Sequence, residues 1–171
     1  MRKVFFILAI STFFAGLAIG QKYAFVDTEY ILGNIPSYKA AQEKLDDLSA
    51  EWQKEVEAQY AEIDKMYKDY QAEKVLLTED MRQKREDDIV NKEKAVKDLQ
   101  KKYFGQDGSL FQKRQELIKP IQDDIYQAVK DIATENGYAV IFDTSSGPTM
   151  LYFNPKYDVS DEVLQKLGYK N

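Results

Sequence analysis

Side chains able to do covalent chemistry are scarce in this chain. It has no cysteine and no histidine, which removes thiol nucleophiles, disulfides, lipid attachment to an N-terminal cysteine, Cys/His zinc sites and every scheme built on imidazole. The acid pairings worth naming are Asp123 with Asp124 and Asp27 with Asp143. Adjacent residues on a helix point apart, and aspartates at strand ends commonly cap turns, so neither pairing reads as a general acid and base. Asp107 stands in a glycine-rich loop that lacks the alternating oxygen ligands and closing glutamate of an EF-hand. No Gly-x-x-x-x-Gly-Lys-Ser/Thr phosphate loop occurs, so no nucleotide cofactor is expected. What remains is noncovalent. Trp52, Tyr60, Met66, Tyr67 and Tyr70 are spread along one charged stretch that leads to the apolar run Val75, Leu76 and Leu77. They are the candidate partner contacts; the competing reading of each is a residue buried in a helical seam, which Met66 escapes best because it lies off that seam. No catalytic or metal-binding residue is assigned.

The stretch from Ser37 to about Glu135 carries these residues and predicts two long antiparallel helices with a turn near Leu76 to Thr78. Apolar or aromatic residues fall at Tyr38, Ala41, Leu45, Leu48, Trp52, Val56, Tyr60, Ile63, Tyr67 and Tyr70. Steps of three and four are the coiled-coil pattern, and the extra four between Trp52 and Tyr60 is a stutter. The stripe is narrow and set among charges, so this helix covers one partner helix and projects rather than sitting in a globular core. The return starts after Thr78, an N-cap followed by the acidic first turn Glu79 and Asp80. Its seam runs through Met81, Ile89, Val96, Leu99 and Tyr103, then Leu110, Leu117, Ile121, Ile125 and Ile132. Residues 43–73 hold ten acids against four lysines, and residues 82–102 hold eight bases against five acids. Opposite signs favour pairing these two arms, although each exposed pair is worth only about 0.2 to 1 kcal/mol.

With 171 residues, 31% charged and a mean hydropathy of -0.54, the chain is too polar for one compact core. Met1-Arg2-Lys3, the apolar run Val4 to Phe14 and the small residues before Gln21 have the layout of a secretory signal peptide, residues 1–20, cut after Gly20. The alternative, an uncleaved anchor, is disfavoured because Val4 to Ile19 is shorter than the roughly 20 residues a spanning helix needs. No stable membrane anchor is therefore expected after cleavage. The remaining 22 bases and 29 acids leave a net charge of -7, a poor match to nucleic acid.

Both chain ends read as the base of the arms, residues 21–36 and 121–171, with the arm over 37–120. Lys22 to Asp27 is a β run, Thr28 caps a helical turn from Glu29 to Gly33, and Pro36 with Ser37 starts the long arm. Gly105 suits a helix end, and Ser109 with Gln112 has capping-box spacing, so one helix stops and another starts there, with a kinked continuous helix left open. Gly105, Gly108 and Pro120 are the candidate hinge residues, Pro120 falling where an equal-length return reaches the base. Two further β runs, Tyr138 to Asp143 and Thr149 to Phe153, flank a turn over 144–148, and Ser160 caps a last helix to Leu167. The fold class is α+β: three strands from the two ends make a sheet too small for one chain to cover, so other subunits complete it. Phe25, Val26, Val140, Phe142, Ile125 and Ile132 are the candidate oligomerisation residues.

Together, the strand KYAFVD, the charged hairpin, the segment IQDDIYQAVKDIATENGYAVIFD and the tail DVSDEVLQKL resemble the Skp/OmpH family of periplasmic chaperones over nearly the whole mature chain. The resemblance implies a homotrimer with a shared β body and helical arms around a cavity. It also implies location in the periplasm and ATP-independent holding of unfolded outer-membrane β-barrel proteins, which makes the arm residues above candidate client contacts. Familiar members are strongly basic and this chain is acidic, so the resemblance leaves contacts with anionic lipid or lipopolysaccharide open. An exported coiled-coil spacer that uses the same seam to bind one folded partner is the competing class.

Overall fold

The computed structural model describes residues 21–145, 147 and 150–169. The expected signal peptide lies outside the described residues, as do Ser146, Pro148 and Thr149 of the expected second turn and strand. Element order is β1 (Lys22–Val26), α1 (Thr28–Gly33), α2 (Pro36–Glu73), α3 (Glu79–Phe104), α4 (Ser109–Asn136), β2 (Tyr138–Asp143), a 3-10 turn (Pro155–Tyr157) and α5 (Ser160–Lys166). The chain divides into two compact units, Leu32–Ile125 and the chain up to Ile31 together with the chain from Tyr126 onward.

In the first unit, α2 begins at Pro36, whose missing N–H falls among the orphan donors of a first turn. No glycine or further proline interrupts it for 38 residues, a length of about 57 Å. α3 starts as the sequence predicts. The Thr78 hydroxyl accepts the Met81 N–H, and Glu79 and Asp80 occupy the first turn. Contacts that pair Glu55 with Tyr103, Glu62 with Lys92, and Glu73 with Arg85 descend along α3 as they ascend α2, so the two run antiparallel. Two clusters hold the hairpin. Val56, Ile63 and Val96 form one, flanked by Leu99, Tyr103 and Phe104; Ala41, Leu45 and Ile118 form the other, flanked by Tyr38, Leu110 and Leu117. Burying side chains such as Leu45 and Val96 is worth about 1.5 to 3 kcal/mol each, far more than an exposed ion pair, so the seam supplies the stability and charge steers the pairing.

The return is broken between α3 and α4, the arrangement the sequence left undecided against a kink. A tight turn spans the break, with the Gly108 N–H donating to Gly105 O at 2.9 Å. Neither glycine needs a left-handed backbone; what they provide is room. A Cβ on Gly105 would lie 2.4 Å from Lys101 O, and one on Gly108 would lie 2.8 Å from Tyr103 O. Ser109 is already the first residue of α4 and does not form the expected capping box. Instead the Gln112 side chain donates to Asp107 O at 3.1 Å and its N–H donates to Gly108 O at 3.0 Å. α4 continues through Pro120, which is exposed and removes one backbone donor from the ladder without ending the helix.

In the second unit, β1 and β2 pair in parallel, with Phe25 opposite Phe142 and Val26 opposite Asp143. Ala24, Phe25 and Val26 are buried. The expected third strand is not formed: residues 150–153 have no strand structure, and Leu151 is 99% exposed. The place beside β1 is taken instead by a single bridge at Asp158, with the Val159 N–H donating to Phe25 O at 2.9 Å. Among the described residues, β1 is thus flanked on both sides and β2 is an edge. Phe153 keeps only its ring in the core, 5.2 Å from that of Phe25.

Two polar ties join the chain ends. The Asp143 carboxylate accepts the Thr28 hydroxyl (2.7 Å) and N–H (3.2 Å) and the Ser145 N–H (3.0 Å) and hydroxyl (2.9 Å). Partial burial alone would raise its pKa, but the hydrogen bonds from Thr28 and Ser145 outweigh that and hold it below the ordinary 3.8. Ser160, 3% exposed, accepts the Asp27 N–H and donates its hydroxyl to Asp158. Both residues depart from their predicted capping roles. Asp27, rather than Thr28, caps α1 by accepting the Tyr30 N–H, and Ser160 lies inside α5 without capping it.

Candidate functional site: the aromatic side chains of the hairpin

The hairpin divides its aromatic residues into two kinds. Tyr70 is buried, and its hydroxyl donates to Glu86. Trp52 is half-buried and stacks on Tyr103 with ring centroids 4.8 Å apart and planes within 2°, while the Tyr103 hydroxyl donates to Glu55 at 2.7 Å. These residues belong to the seam. Tyr60 and Tyr67, both 41% exposed, are only partly covered. Their hydroxyls nevertheless reach across to α3, Tyr60 to Gln100 at 3.3 Å and Tyr67 to Glu93 at 3.0 Å. The hydrogen bonds to Glu93, Glu86 and Glu55, reinforced by charge and desolvation, raise the phenol pKa values of Tyr67, Tyr70 and Tyr103 respectively, so all three stay neutral donors at physiological pH.

Near the tip, Val75 and Leu76 are 85% and 84% exposed and Leu77 is half-buried. Met66 is half-buried. Met81 and Val90 on α3 are also exposed, the first expected in the seam and the second not singled out by the sequence. Among the candidate oligomerisation residues, Phe25, Val26, Ile125 and Ile132 are buried within the single chain, whereas Val140 and Phe142 on β2 are nearly half exposed. Sequence reasoning did not find the acceptors Glu55, Glu86, Glu93 and Gln100. Acids are so common on these arms that only the pairing register distinguishes them.

No group of three or more acidic side chains is arranged to hold a metal among the described residues, and no helix there is long and apolar enough to cross a membrane. The fold is that of an α+β protein with a long antiparallel helical hairpin and a small two-stranded sheet formed by the chain ends. The chain belongs to the OmpH-like family of outer membrane proteins, whose family model matches residues 22–167. An uncharacterized protein of Aquifex aeolicus (strain VF5) is 26% identical over 167 residues, 98% of this chain and 96% of its own. The crystal structure of a candidate OmpH-like outer membrane chaperone from Caulobacter crescentus CB15 superposes with a TM-score of 0.68 at 14% identity, covering 86% of this chain and 84% of that one.

Proposed function

We propose that this protein is an ATP-independent periplasmic holdase that shields unfolded outer-membrane β-barrel proteins between the helical arms of a homotrimer. The observation that carries the reading is a hairpin whose seam is closed on itself yet which still presents Tyr60, Tyr67, Val75, Leu76, Met81 and Val90 to solvent. Separate apolar side chains on a charged rod make many weak contacts and no single tight one. That suits a holder which must release its client without hydrolysis, once the client reaches a better-buried state. Self-association is supported by β2, an edge strand among the described residues that carries half-exposed Val140 and Phe142. The OmpH-like family and the chaperone description of the Caulobacter structure point the same way.

The test is aggregation of several unrelated barrel proteins diluted from denaturant, with and without the purified protein and with no nucleotide. Suppression across unrelated barrels is the expected result. Failure to suppress any of them, with tight binding to one folded envelope protein, would identify a spacer instead.

A further inference from the structure

Tyr60 and Tyr67 pose a question the seam does not answer. A buried phenol needs a protein acceptor, as Tyr70 has in Glu86, but the hydroxyl of a tyrosine 41% exposed can bond to water at little cost. Both hydroxyls are nonetheless engaged across the hairpin, at 3.3 Å to Gln100 and 3.0 Å to Glu93. The two rings lie seven residues apart on α2, one above the other on one face and about 10 Å apart along the axis. A tyrosine held at its hydroxyl has lost its side-chain freedom before any partner arrives, and its ring still offers an apolar surface to the outside.

We propose that Gln100 and Glu93 are positioning residues: by holding the hydroxyls of Tyr60 and Tyr67 they fix two aromatic platforms that receive apolar side chains of an unfolded client. This rests on the holdase reading and adds to it which groups prepare the contact. The partner is an extended segment of an unfolded polypeptide bearing apolar side chains, which meets rings already ordered. Freezing a side chain only on binding would weaken affinity by about two- to tenfold per residue.

The test compares full mature chains by affinity for one unfolded outer-membrane barrel, aggregation suppression and thermal midpoint. Tyr60→Ala with Tyr67→Ala should weaken client affinity. Tyr60→Phe with Tyr67→Phe, which keeps the rings and removes the tethers, should also weaken it, by about four- to a hundredfold for the pair. Glu93→Ala with Gln100→Ala should match the Phe pair, and Glu93→Gln, still an acceptor, should behave as wild type. If the Ala pair weakens binding while the Phe pair and the acceptor pair bind as wild type, the rings suffice and the positioning role is wrong. If the Phe and acceptor pairs lower only the thermal midpoint, the bonds are structural and the proposal is overturned. If even the Ala pair leaves affinity unchanged while the wild type holds the client, these rings are not the contact and the proposal is overturned; if the wild type holds no client, the holdase reading itself fails.

Discussion

Single side chains explain the best and worst of what the sequence revealed. Thr78 was legible because an N-cap followed by two acids is a local signal, and its hydroxyl does accept the Met81 N–H. Thr78→Ala should therefore lower stability by about 1 kcal/mol, read from denaturant unfolding of the full chain. Thr28 and Ser160 misled because their hydroxyls serve partners more than a hundred residues away, and no local pattern encodes that. The same distance hides the importance of Asp143, whose carboxylate collects both Thr28 and Ser145. Its pKa in the folded chain lies below 3.8, so its contribution is complete above that value and is lost as pH falls through the folded value. Unfolding midpoints of wild type and Asp143→Asn, measured from neutral pH downward, should differ most at neutral pH and converge in acid. A constant gap would show that the charge is irrelevant.

Helices and strands follow a different rule: those set by periodicity were readable, and those set by competition for an edge were not. The three-and-four spacing placed Ala41, Leu45, Val56, Ile63 and Tyr70 against the partner helices, all buried. It named Leu117 for the return, which packs half-buried against this cluster, while the buried residue there is its neighbour Ile118. Leu45→Ala removes the centre of the cluster with Ala41 and Ile118 and should cost about 2 to 5 kcal/mol in chemical unfolding. The break itself gives a sharper test. Gly108→Ala brings a Cβ against three backbone atoms, Tyr103 O, Gly105 N and Lys102 O, so it should lower the thermal midpoint, whereas Gly33→Ala, with nothing within 4 Å, should not do so by that mechanism. The run Thr149 to Phe153 looks like a strand by composition, but its described residues 150–153 form none, and the side of β1 away from β2 is held by the bridge at Asp158.

For the whole molecule, the α+β class and the long hairpin were legible from length, charge and seam, while the parallel pairing of β1 with β2 was not, since composition carries no strand direction. The candidate site was legible only in part: residue types pointed to Tyr60 and Tyr67, but their exposure and tethers depend on the register of one helix on the other. Assembly is tested at this scale. Val140→Asp or Phe142→Asp places a charge on the half-exposed face of β2 and should lower the oligomeric state measured by native mass, with the helical signal retained. A variant whose native mass corresponds to the wild-type assembly would exclude β2 from any subunit contact.

The parallel sheet also dictates an order of events. β1 and β2 are separated by residues 27–137, a connection that disordered chain closes slowly. Once Ala41 and Leu45 have met Ile118, the stretch left to close shrinks to roughly a third, lowering the entropic barrier to strand pairing by about 1 kcal/mol. The hairpin is thus more than reach: pairing from its turn shortens the loop between the two strands, so in refolding the helical signal should recover before the sheet closes.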